Sequence, residues 1–545
     1  MDSDNRKNNE IYGPGDVVFV DTTLIQKAAE GLQKSKEEFQ AMLEQAELGD
    51  SAVYHDLGVR YAEGDGTPKD MERAAHWFAQ SAELGDIRSM ESLGRCYQLG
   101  AGVEADMARA LELYQSAADE GHAPAMTDLG LCYENGNGVE KDWEKASDYY
   151  LQAAEQGFAP AQTNLAVCYL NGIGVEKDAK QAIEWLEKAI EQKFGRAYSI
   201  MGCLYRDGNG VEEDPEEAVR YFRLAMEEKY APAVCDLGLC YEVGTGVEKD
   251  ESQALIYYRQ AAEMDYAPAM CNLGYCYLTG IGTAEDPNQA ARWFERSAEQ
   301  DYPRALRLLG CLYQDGNGVE KDEPKSVEYF RRAAEQDYPP AQCDLGLCYE
   351  SGTGVEVDNV LAAEWYRRAA EADYAPAQCN LAVCYLSAIG VERDTAEAVK
   401  WLNKAAEQDY ARAVSILGDC YRDGNGVEED PVKAVEFYRK ASDRNYPPAQ
   451  CSLGLCYEMG NGVETDEKKA TEYYLLAAER DYPPAQTNLA VCYLNGIGVE
   501  KDLEAAAAWL EKAAARDFPR ALSILGECYR DGDGVERDEA RAVEL

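Results

Sequence analysis

A tyrosine stands at position 61 and at every thirty-sixth position onward to Tyr529, fourteen times without a miss. Asp70, Asp106, Asp142 and their successors to Asp538 keep the same interval, again fourteen times. A glycine recurs from Gly64 to Gly532 with one exception, Ala388. No insertion breaks the register, so the chain from residue 51 is an array of one structural unit. A unit of 36 residues cannot bury the apolar faces of its own elements, and stacked neighbours can. The period therefore points to a solenoid before any local assignment is made.

Each unit reads as two helices. In 231–266, "APAVCDLGLCYEVGTGVEKDESQALIYYRQAAEMDY", an apolar stripe of Ala233, Leu237, Leu239, Cys240 and Tyr241 marks the first. Val243-Gly244-Thr245-Gly246 ends it, since glycine takes the positive φ that follows a helix end. Val247 should plug the space between the helices. Asp250 should cap the second helix by accepting from its first free N–H groups. Asp214-Pro215, Asp286-Pro287 and Asp430-Pro431 add proline at the first helical position, where no N–H is needed. Ala254, Tyr257, Tyr258, Ala261 and Ala262 form the second stripe. Gly238 and Ala254 are expected to let the helices approach closely, with Leu237 and Tyr241 flanking the contact.

The glycine-flanked, acidic connector invites a chemical reading. "DGNGVEED" at 207–214 and "DGDGVERDE" at 531–539 resemble the start of a calcium loop. Such a loop needs an oxygen ligand at position 5 and glycine at 6. Counted from Asp207 those places hold Val211 and Glu212, so the match fails. A phosphate cradle would follow a strand and carry G-x-x-x-x-G-K-[ST], which is absent. The loop is a turn, and no metal is expected in it. The three histidines, His55, His76 and His122, stand in no zinc or nucleophile motif. Neither a catalytic residue nor a cofactor is expected.

Charge and cysteine usage bound the partners and the compartment. Lys plus Arg is 53 and Asp plus Glu is 101, giving −48. That field repels nucleic acid and anionic lipid and favours protein partners with basic or mixed-charge segments. No run of 18 apolar residues exists, so no membrane insertion is expected. The polar start "MDSDNRKNNEIYGPG" lacks a signal-peptide core, and with Met1 as natural start a cytoplasmic protein is expected. The 18 cysteines sit in one type of segment, mostly just before the repeated tyrosine. Pairs such as Cys235 and Cys240 are about 140° apart on one helix. They can neither bridge within it nor converge on a metal, and small buried thiols in a reducing compartment fit better.

The pattern A-P-A-x-x-x-L-G-x-C-Y-x-x-G-x-G-V-E-K-D-x-x-x-A-x-x-Y-Y-x-x-A-A-E resembles the Sel-1-like repeat family, relatives of tetratricopeptide repeats with a longer loop. The resemblance covers 51–545, thirteen full units and a cut fourteenth. It implies an all-α protein, an α/α superhelical solenoid of 36-residue helix-loop-helix repeats. It also implies a scaffold or adaptor for other proteins, in settings from protein quality control to bacterial host contact. Secreted, cysteine-rich members tie the first helix to the second by disulfides. Here Ala117, Ala118, Ala153 and Ala154 stand at the corresponding ends, which favours a reduced protein.

Outside the array, residues 1–22 read as an extended N-terminal arm in which 16–20, "DVVFV", is a short strand or extended. Residues 23–50 read as a capping helix started by Thr22 or Thr23. The closing "DEARAVEL" amounts to about two helical turns. A solenoid usually needs a polar cap there, so either the chain is cut or a partner covers that end.

A second period, 108, overlies the first. Trp185, Trp293, Trp401 and Trp509 keep it, as do Ile173, Ile281, Ile389 and Ile497, and Arg196, Arg304, Arg412 and Arg520. The units thus come in three types, A, B and C, repeated about four times from 123. After the repeated tyrosine, A units carry glutamate (Glu242, Glu350), B units leucine (Leu278, Leu386) and C units arginine or glutamine (Arg422, Gln314). One residue before the unit's leucine, B units carry Asn164, Asn272, Asn380 and Asn488, and A units Asp128, Asp236 and Asp344. By resemblance to tetratricopeptide repeats these positions line a concave groove. There the asparagines would hydrogen-bond the backbone of an extended partner segment, an amide being both donor and acceptor. The Glu/Leu/Arg ladder would set partner choice. Duplication of a three-unit ancestor accounts for the origin of the period. Three rival readings are distinguishable. An acid/base enzyme would show a cleft carboxylate titrating near neutral pH, a secreted host-contact factor would carry disulfides, and a self-assembling array would scatter light with rising concentration.

Overall fold

The computed structural model describes residues 22–545. Among them there are 29 α-helices, one short 3₁₀ helix and no strand. From Tyr54–Glu63 onward the helices alternate strictly as the first and second of each repeat, in two compact units that divide between Tyr257 and Tyr258. Each unit is an α/α solenoid. Within a unit the first helices of successive repeats pack on one another, as Ala123–Asn135 does on Ala159–Asn171. Each second helix packs mainly between the first helix before it and the first helix after it. The first helices therefore form the inner row and the second helices the outer.

The repeated loop is held by two hooks. The backbone N–H of each of the fourteen aspartates donates to the carbonyl of the repeated tyrosine nine residues earlier, as from Asp142 to Tyr133 at 3.0 Å. The same aspartate accepts from the second helix's first turn, as Asp250 Oδ1 does from Ser252 and Gln253 at 3.0 Å each. The carboxylate that suggested a ligand is a helix cap.

The two glycines of the loop do different jobs. The first occupies the left-handed region after the first helix, and Ala388 does so as well at φ 56°. The second lies against the start of the preceding repeat's second helix. A Cβ on Gly390 would sit 1.8 Å from the Asn359 carbonyl oxygen. Positive φ is a cost that an alanine can bear; overlap with a neighbouring backbone is not. This explains why the array's one departure falls on the first glycine.

The core differs from the sequence reading in three places. Leu239, placed on the buried stripe, is 43% exposed. The repeated tyrosine is half-buried in most repeats: Tyr133 stacks on Tyr149 with ring centroids 5.8 Å apart and Lys145 5.1 Å over the ring. The fully buried ring is the one on the second helix, as at Tyr150, Phe222, Phe330 and Tyr366. The helix glycine packs on that ring rather than on an alanine. A Cβ at Gly130 would lie 2.4 Å from Tyr150, at Gly310 2.6 Å from Phe330 and at Gly346 2.6 Å from Tyr366. Where the glycine is alanine, at Ala166, Ala382 and Ala490, the facing residue twenty positions on is Leu186, Leu402 or Leu510. Small with aromatic and larger with aliphatic are two solutions for one volume.

At the N-terminal end a helix spans Thr22–Glu47. Its Phe39 and Ala46 are buried in a cluster with Leu57, Tyr61 and Phe78, and the Phe39 ring meets Tyr61 edge-on at 5.1 Å. The arm expected before it lies, apart from Thr22, outside the described residues. Among the described residues no helix is long and apolar enough to cross a membrane.

None of the eighteen cysteines is in a disulfide; sixteen are buried, and Cys203 and Cys311 are half-buried. Burial pushes the Cys203 and Cys311 thiols up to about 11 and those of Cys271 and Cys343 up to about 12. Thiolate is the reactive form, so a thiol reagent at pH 8 should find few groups in native protein and about eighteen after denaturation without reductant. A shortfall of several after denaturation would show disulfides in the isolated protein.

Candidate functional site

The inner row places first-helix residues of successive repeats, four in the first unit and three in the second, around one kind of recess. In the first unit Asp128, Leu131 and Glu134 come from Ala123–Asn135, and Pro160, Asn164 and Val167 from Ala159–Asn171. Arg95 and Arg196 close the two sides of a 290 Å³ cavity. The second unit repeats it 216 residues on, with Asp344, Leu347, Glu350, Pro376, Asn380, Val383 and Arg412 around 540 Å³. Phe158 in the first becomes Tyr374 in the second.

The arginines that keep the 108 period are partners of the asparagines that keep it. Arg196, Arg304, Arg412 and Arg520 each donate from Nη1 to Oδ1 of Asn164, Asn272, Asn380 and Asn488, at 2.5–2.7 Å. Asn164, Asn380 and Asn488 are each 8% exposed. The amides of Asn380 and Asn488 point to the thiols of Cys343 and Cys451, 3.5 and 3.6 Å away. The asparagines are thus part of the wall, their side-chain oxygens already accepting from arginine.

The A-unit aspartates are neutralised by arginine of the preceding repeat. Asp128 meets Arg95 at 3.1 Å, Asp344 meets Arg307 at 2.6 Å, and Asp236 lies 4.0 Å from Arg206. Burial pushes Asp236 up to about 6 and raises Asp344, against the pull of the neighbouring guanidinium. The ladder after the tyrosine is wired from behind. Glu134, Glu350 and Glu458 each accept from the hydroxyl of the buried second-helix tyrosine, Tyr150, Tyr366 and Tyr474, at 2.5 Å. Glu242 stands at the equivalent place in its own repeat. Arg422 donates to Asp423 at 2.7 Å and to the Tyr438 hydroxyl at 3.1 Å. Leu278 and Leu386 are half-buried against the core and line neither of the two recesses.

The site residues missed from sequence are the leucines Leu131, Leu347 and Leu455, with Leu239, which was placed in the core. They recur at 108 and are 38%, 43%, 45% and 40% exposed on the inner face. Their signal lay in the three-unit period, at a position read as core.

Besides Asp236, a second carboxyl is pushed toward neutral. Burial and the adjacent Asp128 push Glu91 up to about 7, while Arg95, 2.6 Å away, pulls against them. Glu91 is 8% exposed. It faces Arg95, Asp128 and Ser92 inside the wall and does not line the recess. Among the described residues no group of three or more His, Cys, Asp or Glu is placed to hold a metal ion.

A family model described as the Sel1 repeat matches fourteen contiguous segments, from 51–86 to 519–545. No curated protein matches the chain significantly. A protective antigen of uropathogenic Escherichia coli strains, solved with an SLR fold, is 30% identical. The match covers 88% of this chain and 96% of that one, with a TM-score of 0.45. A Sel1 repeat protein from Oxalobacter formigenes is 34% identical over 45% of this chain and 96% of its own, at 0.41. Yeast Tom70 is 13% identical over 91% and 98%, at 0.34.

Proposed function

Given that the chain belongs to the Sel1 repeat family, we propose that it is a non-enzymatic scaffold holding segments of other proteins on the face of its first helices. The observation that carries this is the recess found at equivalent places in both units, each with a half-exposed leucine at its floor. An apolar floor rimmed by polar and charged side chains is the kind of surface that marks an interaction site. The −48 charge favours basic or mixed-charge partners by steering and disfavours nucleic acid. The buried thiols fit a reducing compartment, the cytoplasm. Glu91 supports the wall; its raised titration follows from burial between helices rather than from placement against a substrate.

The test is affinity of the intact chain for a partner captured with it and identified by mass spectrometry. Asn272→Ala with Asn380→Ala removes the two side-chain amides that would hydrogen-bond a partner backbone and unlatches Arg304 and Arg412. At about 0.5–1.5 kcal/mol for each hydrogen bond, binding should weaken roughly five- to a hundred-fold. Glu328→Gln, an exposed change on a second helix, should leave affinity unaltered. Unchanged binding by the asparagine pair together with loss by Glu328→Gln would move the working surface to the outer row.

A further inference from the structure

Resting on that reading of the first-helix face, we propose that its recurring recess takes a protein segment of mixed charge, in which an aliphatic side chain lies between a basic and an acidic residue. The floor is apolar: Leu131, Pro160 and Val167 in one unit, Leu347, Pro376 and Val383 in the other. Both cavities, 290 and 540 Å³, exceed the roughly 150 Å³ that admits a benzene-sized group. An aliphatic side chain therefore fits beside the exposed leucine.

The charges around the floor decide what flanks it. Asp128 and Asp344 are cancelled by Arg95 and Arg307. Two charges remain in each recess whose hydrogen-bond partners are neutral. Glu134 and Glu350 meet tyrosine hydroxyls. Arg196 and Arg412 meet asparagine carbonyls. The glutamate belongs to the first helix of the A repeat. The arginine reaches back from two repeats later to the asparagine of the repeat between them. Each recess thus offers a carboxylate at one side and a guanidinium at the other, in the same order in both units. A ligand of one sign would satisfy one wall and be opposed by the other. A segment with lysine or arginine toward the glutamate and aspartate or glutamate toward the arginine satisfies both. Within the second unit the same residue types recur at Leu455, Glu458, Pro484, Asn488, Val491 and Arg520, which favours a partner carrying such a motif more than once.

The probe is a labelled peptide with two Lys-Ala-Leu-Ala-Glu blocks, titrated into the full chain at near-physiological salt. Its relatives have both charges lysine, both charges glutamate, or serine for leucine. The mixed peptide should bind at least about tenfold more tightly than each relative. Leu347→Ser with Leu455→Ser should weaken it about tenfold and leave the melting temperature unchanged, since both leucines are already near half-exposed. Tightest binding by the all-lysine peptide would show that the diffuse negative field does the work and overturn the proposal. Equal binding of the mixed peptide by the leucine variant would overturn it too. A concentration-dependent oligomer dissolved by the leucine variant would assign the recess to a second copy and also overturn it. If the peptides fail to discriminate while a captured partner still loses affinity with the asparagine pair, the mixed-charge motif falls and the first-helix face stands.

Discussion

Gly346→Ala should destabilise its repeat, and Tyr366→Leu on top of it should restore part of the loss. The Cβ added at Gly346 would lie 2.6 Å from Cε1 and 2.7 Å from Cδ1 of Tyr366. The ring is fully buried and its hydroxyl is tied to Glu350 at 2.5 Å, so it has no free rotation to yield. Overpacking of this kind costs about 1–3 kcal/mol, of which alanine's better helix propensity returns about 1 kcal/mol. Tyr366→Leu alone should cost about 2–4 kcal/mol, through a cavity and a lost hydrogen bond. The pair together reproduces the solution already present at Ala166 with Leu186, Ala382 with Leu402 and Ala490 with Leu510. Its cost should therefore fall short of the sum of the single changes by about 1–3 kcal/mol. Urea unfolding read together with hydrogen exchange in residues 339–374 is the appropriate measurement, because a solenoid can fray locally. Strictly additive costs would show that the glycine and the ring are not coupled.

Arg307→Met should destabilise the second unit more at pH 8 than at pH 4.5. Arg307 donates to Asp344 at 2.6 Å, with side chains 30% and 20% exposed. Removing one partner of a fully buried pair costs about 3–5 kcal/mol; with this much exposure about 1–3 kcal/mol is expected at pH 8. Burial already holds the folded-state carboxyl of Asp344 above its usual value, and Arg307 opposes that shift. Between the unfolded and folded values the native state binds the extra proton, so stability falls as pH rises through that window. Without Arg307 the folded value moves higher and the window widens upward. Near pH 4.5 the carboxyl is more nearly protonated in the folded variant and the deficit is small; at pH 8 it is fully charged and unpaired. Asp344→Asn added to Arg307→Met should recover most of the loss at pH 8. A deficit of equal size at both pH values would mean that Arg307 acts through packing of its stem and not through charge.

Much of this molecule is written locally. The 36-residue interval, the glycines with positive φ after each first helix and the aspartate before each second helix are near-neighbour chemistry. Backbone geometry and capping act within a few residues, so the helix pair, its loop and the solenoid class were legible without coordinates. The 108-residue period was legible too, as a pattern of residue types.

What that period meant was decided by contacts the chain order hides. Asn380 and Arg412 are 32 residues apart and Tyr366 and Glu350 are 16 apart, yet each pair is joined by one hydrogen bond. A position read as a free groove residue is thereby part of a wall. Leu347 sits among buried neighbours in sequence, but its place on the helix turns it to the inner face, 45% exposed. The pairing of Gly346 with Tyr366 likewise follows from how closely two helices approach. A repeat pattern fixes which residue types return and at what interval. Which of them touch, and which are left open for a partner, depends on the distance and rotation between packed helices, and those belong to the tertiary structure alone.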